Sequence, residues 1–338
     1  MRKKHPSLIT VLFIILFSIS YTPSHAKEVV IYTSVDQVFS EPVLRAYEKK
    51  TGVKVKAVYD VEASKTTGLV NRLIAERDRP RCDVFWNSEI SRTIALKQKG
   101  VLAPCHSPSA QDIPQEFRDP EGFWTGFAAR ARILIYNTNL LKKEQLPESV
   151  FQLTEPEWRG RVALAYPLFG TTATHVAAWY ACLGKERTEQ YLRDLKANDV
   201  IIVNGNPVTR DMVAEGQVPI GFTDTDDANV AIRSGKPVGI IWPDKEVAGT
   251  LLIPNTVALI RNAPHPEEGK KLIDDLLSKD TESRLAFCGS AQMPLRDGVR
   301  KPDHVPSFSS VKAMNADFHK VAENMDKAAR FCQGLFTR

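Results

Sequence analysis

Short apolar runs that end in small polar residues and give way to helical patterns recur along this chain, and that alternation limits its fold more than any other feature. Val29–Thr33 ends in Ser34-Val35-Asp36 and precedes a helical pattern from Glu41 to Lys50 that Gly52 stops. Val53–Val58 leads through a polar loop at Glu62–Gly68 into the helical stretch Leu69–Glu76. Asp83–Trp86 ends in Asn87-Ser88 and is followed by a helix over Glu89–Lys99. Strands alternating with helices in this way build βαβ units around a parallel sheet. After a Pro-rich connection the design restarts with Val162–Ala165 and a helix opened by Gly170-Thr171-Thr172. Val200–Val203, ending in Asn204-Gly205-Asn206-Pro207, and a helix over Thr209–Glu215 come next. Two long β-rich runs, Ala131–Tyr136 and Leu251–Ile260, are the natural crossovers between the two systems. Helices are expected at Pro266–Leu277, Thr281–Phe287 and Ala313–Phe331. The chain therefore reads as an α/β protein of two lobes joined by two hinge strands, with ligand in the interlobe cleft. Residues 27–129 plus 255–300 form one lobe, and 130–254 plus 301–338 the other.

The first 26 residues stand apart. Arg2, Lys3 and Lys4 precede the apolar run Leu8–Ile19, and Ser24-His25-Ala26 supplies small residues for cleavage. This is the pattern of a cleavable secretory signal, too short in its apolar part to span a bilayer. The mature chain is expected to be exported to the periplasm, with no stable membrane insertion. Of 45 basic residues against 40 acidic ones, three lie in the signal, which leaves 42 against 40. No dense Lys/Arg block remains, which argues against a nucleic-acid partner. About 312 mature residues exceed what one core usually holds, in line with two lobes. Five cysteines suit an exported protein that keeps disulfides. Parallel neighbouring strands would pair Cys82 with Cys105; Cys288 with Cys332 is the second expected pair, and Cys182 is left free.

The densest polar stretch is Gly221–Asn229, with three carboxylates and two hydroxyls in Thr223–Asp227. A strand delivers them where a helix begins, and open α/β sheets bind ligands at strand carboxyl ends. Asp and Thr there also cap helices, but three aspartates exceed what capping needs. Asp224, Thr225, Asp226 and Asp227 are thus candidates, joined by Ser34, Asp36, Asn87 and Asn204 at other strand ends. Thr66-Thr67-Gly68 and Gly170-Thr171-Thr172 place hydroxyls and backbone N–H groups at helix starts, which suits phosphate, phosphonate or carboxylate. Pro254 interrupts the second crossover and implies a bend there, from which Asn255 would reach the cleft. Tyr166 and Trp86 fit core positions better than cleft walls. No nucleophile elbow, HExxH or P-loop occurs, so enzymatic activity is not expected. A metal-dependent hydrolase is a remote alternative.

Several segments resemble the ferric-ion-binding class of extracellular solute-binding proteins that serve ABC importers. They are Ile31–Ser34, Tyr47–Val55, Asp83–Trp86, Gly100–Pro104, Trp124–Asn137, Pro156–Arg161 and Pro294–Arg296. The resemblance implies a two-lobe periplasmic-binding-protein fold, type II-like, working as a monomer with an ABC permease and its ATPase and without a resident cofactor. In that class a tyrosine pair, often with a His and a Glu, holds ferric ion beside a synergistic anion. Here the tyrosine positions fall on Asp226 and Asp227, the His position on Asp36 and the Glu position near Thr67. The anion turn falls on Gly170–Thr172, with Asn204 and Asn206 beside it. Asp36, Asp226 and Asp227 are carboxylates suited to hard cations, so Fe3+ or another hard metal ion with an anion is the first ligand expected. The same carboxylates suit an ammonium group. A small phosphonate, phosphate ester or zwitterion such as an aminoalkylphosphonate is therefore the alternative.

Overall fold

The computed structural model describes residues 27–60 and 65–337. The expected signal segment, residues 1–26, and residues 61–64 of the expected polar loop lie outside the described residues. In the first half, β1 (Glu28–Thr33), α1 (Gln37–Thr51), β2 (Lys54–Tyr59), α2 (Thr67–Ala75), β3 (Val84–Asn87), α3 (Ile90–Gln98) and β4 (Leu102–Ala103) alternate as expected. β1 pairs in parallel with both β2 and β3. The alternation repeats after β5 (Thr125–Asn137): β6 (Val162–Ala165), α4 (Gly170–Leu183), α5 (Lys185–Ala197), β7 (Ile201–Val203), α6 (Asn206–Ala214), β8 (Ile220–Asp224), α7 (Thr225–Arg233) and β9 (Val238–Ile241). β6 lies parallel between β7 and β8. Then β10 (Leu252–Ile260), α8 (Pro266–Leu276), α9 (Lys279–Phe287) and α10 (Phe318–Phe336) complete the chain.

The strand order β2-β1-β3-β10-β5-β8-β6-β7, with β4 on β10 and β9 on β5, makes the two crossovers the centre of one continuous sheet. β5 changes partner midway. Its Thr125–Ala131 part pairs with β10 and its Arg132–Tyr136 part with β8. Thirteen residues with almost every side chain buried explain why only its most apolar part, Ala131–Tyr136, reads as strand from sequence. The register of β10 shifts between Pro254 and Asn255, where proline cannot donate to the ladder. The apolar side chains collect into separate cores on either side of these strands, one around Trp86 and Phe127, another around Trp158, Trp179 and Phe222. α10 spans the division, packing on α4 of one half and α3 of the other.

Neither expected disulfide forms, and all five cysteines are free. β4 pairs with β10 rather than β3, so β10 stands between the strands that lead from Cys82 and to Cys105. Cys288 packs against the first core and Cys332 lies in the second, which separates the other pair. α7 begins at Thr225, three residues earlier than its apolar pattern suggests, and this puts Asp226 and Asp227 in its first turn.

Candidate functional site

The site is built on a register. Arg132 of β5 lies opposite Asp224, the last residue of β8. Side chains alternate along a strand, so Arg130 points to the same side of β5 as Arg132. Arg132 is fully buried, and its Nη1 donates to Asp224 Oδ1 at 2.7 Å, Thr171 Oγ1 at 3.2 Å and Asn206 Oδ1 at 3.2 Å. Its Nη2 donates to Thr172 Oγ1 at 3.2 Å, and the guanidinium lies 4.3 Å from the Phe222 ring centroid. Thr171 Oγ1 donates to Asp224 Oδ2 at 2.6 Å, while Asn206 Nδ2 donates to Thr171 Oγ1 at 2.9 Å. One arginine thus ties together the ends of β8, α4 and α6. Arg130 Nη1 reaches Asp226 Oδ2 at 3.3 Å and Asp224 Oδ2 at 3.5 Å, and its Nη2 donates to the Ser88 carbonyl in the other half.

The α4 end is equally particular. Gly170 sits at φ 55°, a left-handed conformation that glycine adopts without strain. Phe169 at the N-cap offers no side-chain acceptor, so the first turn presents backbone N–H groups that lack intrahelical partners. Asp36, Lys65, Ser88, Arg130, Tyr166, Phe169, Gly170–Thr172, Asn204–Asn206, Asp224, Asp226 and Asp227 line a cleft whose free volume is about 20 Å³. That is room for a species the size of a water molecule or a single ion.

Three of these carboxylates are crowded: ligand oxygens of Asp224, Asp226 and Asp227 all lie within 4.8 Å of one another. Burial works to raise the Asp224 carboxyl, but Arg132, Arg130 and the Thr171 hydroxyl hold it below its ordinary value. Burial pushes Asp226 up, with Asp224 and Asp36 adding to the effect and Arg130 opposing it. Asp227 is pushed well above its ordinary value by burial and then by Asp226 and Asp224. Asp226 Oδ1 is buried and has no hydrogen-bond partner among the described residues. Burial lowers the basicity of Arg130, yet the surrounding Asp226, Asp224 and Asp36 more than restore it. Asp36 is paired with Lys65, which also lines the cleft.

Of the residues expected from sequence, Asp36, Gly170, Thr171, Thr172, Asn204, Asn206, Asp224, Asp226 and Asp227 line the cleft. The other expected residues do not line it. Ser34 donates to Asn87 Oδ1 at 2.7 Å and Asn87 donates to Thr93 Oγ1 at 3.0 Å, fastening β1 and β3 to α3. Thr66 and Thr67 have buried hydroxyls without a hydrogen-bond partner among the described residues and do not line the cleft. Thr225 accepts the Ala131 N–H at 3.1 Å, and Asn255 donates to Gln292 Oε1 at 2.6 Å beside the β10 bulge. The carboxylates that cluster are Asp224, Asp226 and Asp227, with Asp36 opposite on Lys65 rather than among them. Tyr166, read as core, lines the cleft. Arg130, Arg132, Lys65 and Ser88 were missed. The available signal was Arg130-Ala131-Arg132 within an apolar run, because two buried guanidinium groups require acidic partners.

The model of the family described as bacterial extracellular solute-binding protein matches residues 93–321. The chain belongs to this family. It is 25% identical over 324 residues to iron uptake protein A1 of Synechocystis, covering 92% of this chain and 88% of that protein. A Salmonella typhi protein provisionally named as a 2-aminoethylphosphonate-binding periplasmic protein is 29% identical over 301 residues, 85% of each chain. Iron-bound HitA from Pseudomonas aeruginosa superposes with a TM-score of 0.83 at 22% identity, over 92% of this chain and all of that one. AfuA of Actinobacillus pleuropneumoniae, with fructose-6-phosphate bound, gives 0.82 at 21% identity over 91% and 98% of the two chains. The two-lobe periplasmic-binding-protein fold and membership of the extracellular solute-binding proteins, both expected from the sequence, are borne out. Members of this family are solute-binding proteins. Among the described residues no helix is long and apolar enough to cross a membrane.

Proposed function

We propose that this solute-binding protein captures a hard metal ion, ferric iron first, together with a synergistic anion, and releases it to an ABC permease driven by its ATPase. It does so as an exported periplasmic monomer after removal of residues 1–26. The observation that carries this reading is the crowding of Asp224, Asp226 and Asp227 around an unpartnered Asp226 oxygen, at the edge of an ion-sized space. Buried like charges raise one another's proton affinity, and a hard cation relieves that repulsion while satisfying oxygen donors. The α4 first turn supplies the place for the anion. The iron-related names of the Synechocystis and Pseudomonas proteins agree with it. Asp36, on the far side of the same cleft, would complete the ligand set. The lobes are residues 27–129 with 255–300 and 130–254 with 301–338, and Ser34, Thr66, Thr67, Asn87, Thr225 and Asn255 support the site without lining it.

One observation favours a second ligand. Arg130 and Arg132 already balance Asp224, and with Lys65 they make the cleft both cationic and anionic, as a zwitterionic aminoalkylphosphonate would need. Such a ligand needs the lobes to part, since the present space is ion-sized. The Salmonella relative's name agrees with this reading. Titration of metal-stripped protein with ferric citrate, divalent ions and 2-aminoethylphosphonate separates the two. A ligand at about 100 times its Kd stabilises the fold by roughly 2.7 kcal/mol. Metal binding with no response to the phosphonate supports the first reading; the reverse result replaces it, and a flat response to all of them removes both.

A further inference from the structure

The beginning of α4 lines the cleft and also touches the opposite lobe. Thr174, one turn beyond Gly170, is fully buried and donates its hydroxyl to Glu89 Oε2 at 3.0 Å. Glu89 is the N-cap of α3 on the other side of the cleft; it is itself fully buried and accepts from Ser91 N at 2.7 Å and Arg92 N at 2.9 Å. Further bonds cross the same gap, beside that of Arg130 Nη2 to the Ser88 carbonyl. Gly170 N donates to the Lys65 carbonyl at 3.2 Å, and Arg92 Nη2 reaches the Leu168 carbonyl at 3.5 Å.

We infer that the Thr174–Glu89 bond is an interlobe latch and that Thr174 is a positioning residue, setting ligand affinity through closure without touching ligand. The inference rests on the two-lobe capture reading but not on which ligand is captured. A hydroxyl on a buried carboxylate is a charge-assisted bond, and this one joins helix ends that belong to different lobes. It exists only when the lobes are together, so it favours the closed form. Apparent affinity scales with the fraction of protein in the binding-competent form. Because the latch holds α4 one turn beyond Gly170–Thr172, loosening it also withdraws that wall of the cleft.

The test compares wild type with Thr174→Val, which keeps the side-chain shape and removes the donor, and with Thr174→Ser, which restores the donor. Glu89→Gln, which keeps an acceptor and the α3 cap, serves as a second disrupting variant should the valine variant not fold. The probes are ferric citrate and 2-aminoethylphosphonate, and the readouts are Kd, the release rate and the radius of gyration by small-angle scattering, with and without probe. The latch requires Thr174→Val to bind about tenfold more weakly, mainly through faster release, and to be more expanded, with Thr174→Ser close to wild type. Glu89→Gln should move each readout in the same direction by a smaller factor. A valine variant with wild-type release rate and wild-type dimensions overturns the inference. If wild type binds neither probe, the ligand readings fall, and the dimensions of the folded variants in buffer still decide the latch.

Discussion

Replacing Arg132 with methionine tests the central claim about this site, that one buried arginine holds the ends of three elements. The side chain is fully buried and donates to Asp224, Thr171, Thr172 and Asn206. Methionine preserves much of the packing against Phe222 and removes every donor. Breaking a buried ion pair by deleting one partner costs about 3–5 kcal/mol, because the remaining charge is stranded. Here Asp224 keeps the Thr171 hydroxyl at 2.6 Å, Asn206 Nδ2 at 3.1 Å and Arg130 at 3.5 Å, so the lower end, about 3 kcal/mol, is expected. At roughly 2–4 °C per kcal/mol, the melting point should fall by about 6–12 °C. Asp224→Asn in the same background removes the stranded charge and should return about 1–2 kcal/mol, a coupling of the size seen between contacting residues. Urea unfolding of the two single variants and the double variant measures each term. A cost below about 1 kcal/mol, or strict additivity in the double variant, would refute the keystone role. Ferric citrate binding should be lost in the single variant, since Thr171 and Thr172 lose their anchor.

Asp226→Asn should stabilise the ligand-free protein at neutral pH while weakening ferric citrate binding by at least about tenfold (each 1.4 kcal/mol is a factor of ten), as read by melting curves and calorimetry. The sign follows from the raised carboxyl: the fold favours its protonated form, so stability falls as pH rises from the ordinary carboxylate value through the folded one. Metal affinity should run the other way, falling as pH drops and protons compete at Asp226 and Asp227, with proton release on binding seen by calorimetry in buffers of different ionisation heat. Asp244, pushed up to about 6 by burial against the Ser149 hydroxyl and Val150 N–H that lower it, should contribute a decline in stability between about pH 4 and pH 6. Asp244→Asn should flatten that part of the stability curve; an unchanged slope counts against it. Denatured without reductant, the protein should show all five thiols to an aromatic disulfide reagent, and in the native state the exposed Cys182 should react first. A count of three or fewer would mean that a disulfide forms.

Much of the fold is legible because it is local. Runs such as Val162–Ala165 followed by Gly170-Thr171-Thr172 specify a strand, a turn and a helix start within a dozen residues. β9 and α5 were missed for a corresponding reason. Val238–Ile241 is short and half-buried, and the polar Lys185–Ala197 face hides its apolar positions, Tyr191, Leu192 and Leu195. The disulfide error came from assuming that consecutive strands neighbour one another, which β10 prevents by entering the sheet between them. Among site residues, those at strand ends were visible, since the chain itself places polar residues where strands stop. Ser34 and Asn87 share that position, yet their partners turn them inward, and no local pattern distinguishes the two outcomes.

By itself the sequence determined an α/β chain in two halves, two long crossover strands, family membership, and an acidic strand end preceding a helix. The tertiary structure alone decided what that acidic end is paired with. The antiparallel register of β5 on β8 sets Arg132 against Asp224, and β5 then carries Arg130 across to Asp226 and the Ser88 carbonyl. A carboxylate's charge, proton affinity and freedom to take a ligand depend on neighbours within a few ångströms. Here those neighbours come from about 90 residues earlier in the chain, so they become neighbours only when the sheet closes around the hinge.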